Sequence, residues 1–131
     1  MARLRVPFSA LACLLALSGA ASAQTERPLR ASYEDQLEEL GRVLGGSHYL
    51  RILCAGRGDQ RWRDAMRGVL AREPAQRGRL TSAFNEGYRR EEARFPVCDR
   101  GAEQTEAELR AQGLRLANAL SVRNAGDGAR R

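Results

Sequence analysis

Lysine is absent from this sequence of 131 residues, whose basic residues are all arginine apart from a single histidine. Uniform arginine is typical of a compositional bias of the source genome, because surface positions rarely need a guanidinium in particular. The arginines are spread along the chain, and several follow an acid by four residues, as Arg42 follows Glu38. This spacing is typical of weak ion pairs on solvent-exposed helix faces. A nucleic-acid-binding surface needs clustered basic residues, so we predict no nucleic-acid partner.

Motifs of common enzyme and metal sites are also missing. The sequence has no Ser-His-Asp arrangement, no phosphate-binding glycine loop, no His-Glu-x-x-His segment and no Cys-x-x-Cys pair. A metal site of ordinary type needs three or four ligands, so the single histidine would have to recruit carboxylates such as Glu86 or Glu91. We therefore predict no metal, no cofactor and no enzymatic activity.

Long apolar runs are confined to the N-terminus, where the stretch from Val6 to Leu17 follows Arg3 and Arg5 and precedes Ala21-Ser22-Ala23. A basic start, a short apolar core and an Ala-x-Ala end are typical of a secretory signal peptide. We predict cleavage after Ala23, which leaves 108 residues with 20 arginines against 16 acids, a net charge of +4. A signal peptide predicts export from the cytoplasm.

Two alternatives to cleavage after Ala23 remain. The segment could stay attached as an anchor, but its apolar core is shorter than the ~20 residues that span a bilayer. Cys13 could instead be lipidated after an earlier cleavage, although Ala10-Leu11-Ala12 resembles a lipoprotein cleavage box only loosely. We predict no membrane span after signal cleavage.

Cleavage also decides which cysteines can pair. It removes Cys13 and leaves Cys54 and Cys98, which lie 44 positions apart. An even pair in an oxidising compartment is typical of a disulfide, and closing a loop of this length stabilises a fold by ~4 kcal/mol at most. We predict a structural disulfide between Cys54 and Cys98.

The remaining pattern is helical, because apolar residues recur at intervals of three and four and no alternating strand pattern of useful length occurs. The sequence predicts an all-α domain of four helices, with Ser32 as the N-cap of the first and Asp59 as a cap of the second. The predicted segments are a signal peptide at 1–23, a polar lead at 24–31, the helical domain at 32–123 and a flexible tail at 124–131. The predicted helices run from Ser32 to about Gly56, from Asp59 to Pro74, from about 76 to 94 and from about 102 to 123.

Glycines interrupt two of the predicted helices on their apolar sides. Gly45-Gly46 in the first helix indicates either a kink or a close approach by another helix. Gly87 in the third lies within an apolar stripe, where a missing side chain lets another backbone or a ring approach.

Four polar residues of the first and third helices form a candidate cluster: His48, Arg51, Asn85 and Tyr88. One interpretation is that they order the core, since buried polar groups must be paired whatever the function. The other is a small pocket for a polar ligand of the cell envelope. Trp62, the only tryptophan, is either a core anchor or, if exposed, a candidate interaction anchor.

Three strings carry a resemblance to a known family: His48-Tyr49-Leu50-Arg51-Ile52-Leu53-Cys54, then Trp62-Arg63, then Phe84-Asn85-Glu86-Gly87-Tyr88-Arg89. Followed by Cys98, they resemble a family of small exported alphaproteobacterial proteins of uncharacterised function. The resemblance covers about Tyr33 to Val122. It implies export and a shared core, and it supplies no catalytic residues.

These observations predict a small periplasmic helical protein that acts as a binding or interaction module in the cell envelope. Its predicted partner is an envelope protein or a peptidoglycan-associated component. An alternative is an envelope hydrolase or enzyme accessory that uses His48, Asn85 and Tyr88. A third alternative is a structural stress protein without a specific ligand.

Overall fold

Four helices account for most of residues 21–129, which are the residues described by the structure, a computed structural model. They are α1 (Ala21–Ala55), α2 (Arg61–Arg72), α3 (Arg77–Arg94) and α4 (Arg100–Gly128), with a 3-10 turn at Pro74–Gln76. Within this range there is no strand. The predicted all-α fold of four helices is therefore confirmed.

Helix α1 is the centre of the domain. Helices α2, α3 and α4 all pack against it and scarcely contact one another. The hydroxyl of Tyr33 near the start of the packed part of α1 donates to Glu73 just after α2, so α2 runs antiparallel to α1. Gln112 of α4 donates to Glu39, and Leu109 of α4 lies beside Gly46, so α4 is antiparallel too.

Helix α3 runs parallel to α1. Arg79 near its start pairs with Glu34 and Glu38, and Phe95 just beyond its end accepts a hydrogen bond from Tyr49. The chain therefore alternates in direction from one helix to the next, which the short connections between them require.

The first and last helices of the described residues, α1 and α4, extend beyond their predicted limits. Helix α1 is continuous from Ala21, so the predicted polar lead at 24–31 is helical and Ser32 lies inside the helix rather than at its N-cap. Helix α4 continues to Gly128, five residues past the predicted end at Arg123. The cap residue Ser32 and the glycine-containing segment after Arg123 led to a predicted start of α1 that is too late and a predicted end of α4 that is too early. The predicted flexibility of the tail at 124–131 stays a prediction.

The end of α1 and the starts of α2 and α4 are each determined by residues at that position. Gly56 ends α1 with a φ of 96°, a conformation that glycine adopts without strain. Asp99 caps α4, because its Oδ1 accepts the backbone N–H of Ala102 at 2.8 Å. The predicted cap of α2 is shifted by one position: Gln60 is the N-cap, while Asp59 accepts the backbone N–H of Arg61 at 3.3 Å.

Most of the predicted signal peptide at 1–23 lies outside the described residues. Cys13 lies outside them as well. Only Ala21, Ser22 and Ala23 fall within them, at the start of α1. Among the helices of residues 21–129, none combines the length and the apolarity needed to cross a bilayer.

Glycines set the contact between α1 and α3. A Cβ at Gly45 would overlap the carbonyl oxygen of Phe84 and lie 2.7 Å from its carbonyl carbon. A Cβ at Gly87 would do the same to the carbonyl group of Arg42, again with 2.7 Å to the carbon. Backbone therefore lies against backbone on both sides, and of the two predicted meanings of Gly45-Gly46 the close approach is the one observed.

The core consists of two adjoining clusters of buried apolar side chains along α1. The first contains Leu37, Leu40, Leu44, Met66, Leu80 and Leu120. The second contains Val43, Tyr49, Leu50, Ala102 and Leu109. All four helices contribute at least one of these residues or a half-buried neighbour, so α1 can be sequestered from water only when the others pack around it.

The disulfide between Cys54 and Cys98 is present, with a Cα–Cα distance of 5.1 Å, and this prediction is confirmed. It joins the last turn of α1 to the connection between α3 and α4. The Tyr49 hydroxyl donates to the carbonyl oxygen of Phe95 at 2.5 Å, so a hydrogen bond supports the same junction from the inside.

Candidate functional site

A cavity of about 580 Å³ opens between α1, α2 and α3. We call it the His48 cavity. Its lining comprises His48, Ile52, Arg57, Gln60, Arg63, Met66, Arg67, Leu70, Thr81, Phe84, Asn85 and Tyr88. The volume falls within the usual range of small-molecule sites, about 300–1,000 Å³. Polar and charged side chains outnumber apolar ones in its lining, so its walls are more polar than those of most such sites.

His48 is the buried polar group of this cavity, with 5% of its surface exposed. Its ring lies beside two aromatic rings of α3, at 5.8 Å from Phe84 and 6.1 Å from Tyr88 between centroids. Its Nδ1 atom is buried without a hydrogen-bond partner. A buried polar atom left unpaired costs about 1–3 kcal/mol, so this nitrogen is a point where a ligand would gain affinity.

Burial lowers the pKa of His48 below its ordinary value of 6.5, and the positive charge of Arg63 lowers it further. The carboxylates of Asp59 and Asp64 act in the opposite direction and more weakly. The ring is therefore neutral at pH 7, with one nitrogen that donates and one that accepts.

The lowered pKa predicts a pH dependence of folding. Between the folded and unfolded pKa values the unfolded chain binds more protons, so the free energy of unfolding should fall as the pH is lowered below about 6.5. His48 is the only histidine, and ordinary carboxylates titrate below this window. In urea titrations between pH 7 and pH 5, His48→Phe should abolish the decline. An equal decline in the wild type and His48→Phe would contradict this assignment.

Three of the four predicted cluster residues line the same cavity. His48 is at its buried end, Tyr88 is half-buried, and Asn85 is exposed at the opening. Arg51 does not line it. The predicted four-residue group is therefore a group of three in this structure.

Arg51 has a different role, at the junction of α1 and α2. Its Nε donates to Asp59 at 2.9 Å, and Arg61 donates to the same carboxylate at 2.8 Å. These hydrogen bonds lower the pKa of Asp59 to about 2. The bond from Arg61 has the larger effect on the pKa, and the bond from Arg51 has the next largest. Arg51 thus fastens the start of α2 to the end of α1.

The opening of the cavity is basic, which the sequence analysis did not predict. Arg57, Arg63 and Arg67 all lie at it. Arg67 pairs with Asp64, whereas Arg57 and Arg63 form no ion pair with any acid of the described residues. They lie on the connection after α1 and on α2, so only the packing of α2 beside α3 brings them to Asn85 and Tyr88.

Glu86 and Glu91, the two carboxylates named as possible metal partners of His48, form ion pairs with arginines. Glu86 accepts from Arg42 at 3.1 Å, and buried Glu91 is held by Arg90 and Arg94. Across residues 21–129, no three His, Cys, Asp or Glu side chains gather in a way that could hold a metal ion.

Trp62 lies in a second, larger cavity on the other side of α2. The side chain is half-buried and packs against the first core cluster, and its Nε1 is buried without a partner. Trp62 is therefore a half-buried core residue that also lines this cavity, and its role as an interaction anchor stays a prediction.

Comparison with known proteins gives one match. A family model described as a protein of unknown function, DUF2385, matches residues 32–124. Searches of curated proteins and of solved structures gave no match. The matched range contains the core of all four helices, the disulfide and the whole lining of the His48 cavity. Because the match spans well over half of the sequence, this chain belongs to the DUF2385 family.

Proposed function

We propose that this protein is an exported binding module of the cell envelope, and that the His48 cavity holds a small anionic ligand with an apolar body. The observation that carries the proposal is the buried, unpartnered Nδ1 of His48 in a cavity whose opening bears two arginines without acidic partners.

The walls indicate the chemistry of the ligand. Phe84, Tyr88 and Met66 offer an apolar and partly aromatic surface for its body. Arg57 and Arg63 supply positive charge at the opening, and guanidinium groups bind carboxylates and phosphates with paired hydrogen bonds. A ligand that reaches His48 would also pair its unsatisfied nitrogen. A planar aromatic carboxylate meets the first two conditions, and a second polar group at the far side of its ring would meet the third.

Two features support export as part of the proposal. The N-terminal pattern is typical of a signal peptide that ends at Ala23. The disulfide between Cys54 and Cys98 is typical of an oxidising compartment. Together with the resemblance to exported alphaproteobacterial proteins, they favour the periplasm, where an envelope protein or a peptidoglycan-associated component could carry the anionic group.

Benzoate and its neutral isostere benzamide test the proposal as probes. We expect benzoate to shift the NMR signals of His48, Asn85 and Tyr88 saturably and to bind at least tenfold more tightly than benzamide. Arg63→Gln should weaken benzoate binding about tenfold, equal to about 1.4 kcal/mol, because a charged hydrogen-bonding group is lost.

Arg89→Gln is the matched control for Arg63→Gln. Arg89 is exposed on α3 and does not line the cavity, so this variant should bind benzoate like the wild type. Equal affinities for benzoate and benzamide, no saturable shift at His48, or equal losses in Arg63→Gln and Arg89→Gln would each contradict the proposed site.

A further inference from the structure

A groove of about 1110 Å³ follows α1 between α2 and α4. We call it the α2–α4 groove. It exists because these two helices flank α1 and scarcely contact each other. Its floor on α1 runs from Tyr33 to Ser47, which at 1.5 Å per residue is about 21 Å. Three leucines and Val43 form the middle of the floor, between Tyr33 and Ser47, and no residue of its lining belongs to the His48 cavity.

Two buried hydrogen-bond donors in this groove have no partner. The Ser47 side chain is 1% exposed, and neither its Oγ nor the Nε1 of Trp62 makes a hydrogen bond. Both line the groove. Because buried donors are rarely left unpaired, the two atoms mark a place where an acceptor from outside the described residues would gain two hydrogen bonds.

The two donors lie at the same end of the groove as a cation. Helices α2 and α4 both run antiparallel to α1, so Trp62 at the start of α2 and Arg110 early in α4 lie toward the Ser47 end. Arg110 forms an ion pair with Glu106, but its Nη1 is 3.9 Å from the carboxylate oxygen, beyond hydrogen-bonding distance, so its N–H groups are open to a second acceptor. This end therefore offers a hydroxyl, an indole N–H and a guanidinium.

The other end of the groove is apolar along its floor. From Ser47 toward Tyr33 it passes Leu44, Leu40 and Leu37, and Leu120 of α4 lies along the same stretch. On the α4 wall Leu114 is 64% exposed. Arg72 and Glu73 line the groove at this end with one charge of each sign, whereas the two unpaired donors lie at the Ser47 end. A site with unpaired donors and a guanidinium at one end of a long apolar floor is complementary to an anionic head with an apolar tail.

We propose that the α2–α4 groove binds one long-chain fatty acid. Its carboxylate accepts from Ser47 and Trp62 beside Arg110, and its tail lies over Leu44, Leu40 and Leu37. A carboxylate fits better than a partner helix, because a carboxylate only accepts and has two oxygens for two donors. The backbone carbonyls of a helix are already bonded within the helix.

Trp62 makes the groove directly observable, since it is the only tryptophan of the chain. We expect 2-bromopalmitate, whose bromine lies next to the carboxylate, to quench the tryptophan fluorescence of the full-length protein saturably at one site below its micelle concentration, because bromine quenches only near contact. Palmitate should displace it. Methyl palmitate, which has no negative charge, should displace it at least tenfold less well.

Two pairs of variants test the binding of the acyl tail and of the carboxylate of the fatty acid separately. Ala65→Phe fills the α2 wall and should weaken binding at least tenfold, whereas Ala71→Phe, exposed on α2 outside the groove, should not. Arg110→Gln should weaken palmitate binding about tenfold and leave methyl palmitate unchanged. Arg115→Gln, exposed on α4 outside the groove, should affect neither.

Several results would overturn the proposal. They are quenching that does not saturate, equal quenching in Ala65→Phe and Ala71→Phe, and equal displacement by palmitate and its methyl ester. Concentration-dependent dimerisation that Ala65→Phe abolishes, without added fatty acid, would assign the groove to a second copy of the chain instead. Benzoate binding at the His48 cavity should be unchanged in Ala65→Phe, so the two sites can fail independently.

Discussion

Replacing Cys54 and Cys98 by serine is expected to lower the free energy of unfolding by up to ~4 kcal/mol, because the unfolded chain regains the freedom of a loop closed over 44 positions. Domains of this size are stable by about 5–15 kcal/mol in all, so the loss is a large part of the total. The disulfide joins the end of α1 to the connection before α4, and α1 is the helix on which every other helix packs.

Urea denaturation measures this effect. The double serine variant and the wild type in excess reductant should unfold at the same, lower urea concentration, and the oxidised wild type at a higher one. The Tyr49–Phe95 hydrogen bond remains after reduction, so we expect a weakened fold rather than an unfolded chain at 25 °C. Identical midpoints for the oxidised and reduced wild type would show that the disulfide contributes nothing to stability.

Alanine at Gly45 or at Gly87 is expected to destabilise the protein by about 3 kcal/mol, the upper part of the range for overpacked sites. The added methyl group would collide with the backbone carbonyl of Phe84 in one case and of Arg42 in the other. Backbone cannot rotate away as a side chain can, so α1 and α3 must separate and lose contacts along their length.

Gly78→Ala is the matched control, because Gly78 lies in α3 and a Cβ there meets no atom within 4 Å. It should stabilise the protein by about 0.5–1 kcal/mol through helix propensity alone. The double variant of Gly45 and Gly87 should cost less than the two single losses together, since one separation of the helices relieves both collisions. A Gly45→Ala protein as stable as Gly78→Ala would contradict the observed contact.

The helices could be predicted because the spacing of apolar residues is a local pattern. The disulfide could be predicted because it depends on the number of cysteines. Leu37, Leu40 and Leu44 repeat at helical spacing, and Gly56 ends the helix with the backbone conformation that glycine favours. The pairing of Cys54 with Cys98 followed from a count of cysteines. The ends at Ser32 and Arg123 were wrong as helix boundaries, because a cap-forming residue or a glycine-containing segment does not stop a helix that continues through it.

The candidate site could be predicted only in part. His48, Asn85 and Tyr88 were grouped because the hydroxyl of an inward-pointing Tyr88 needs a polar partner, and the three residues do line one cavity. Arg51 was grouped with them wrongly, since its carboxylate partner Asp59 lies beyond the end of the helix. Arg57 and Arg63 were missed, because no periodicity within one helix relates them to α3.

The sequence by itself determined that the fold has four helices, which face of each is apolar and which cysteines pair, since all three depend on neighbouring residues or on composition. Only the tertiary structure decided that α3 lies parallel against α1 at Gly45 and Gly87, that arginines of α2 face His48, and that α2 and α4 leave a groove between them. Those arrangements depend on how the helices pack against one another, and packing joins residues that no local pattern connects.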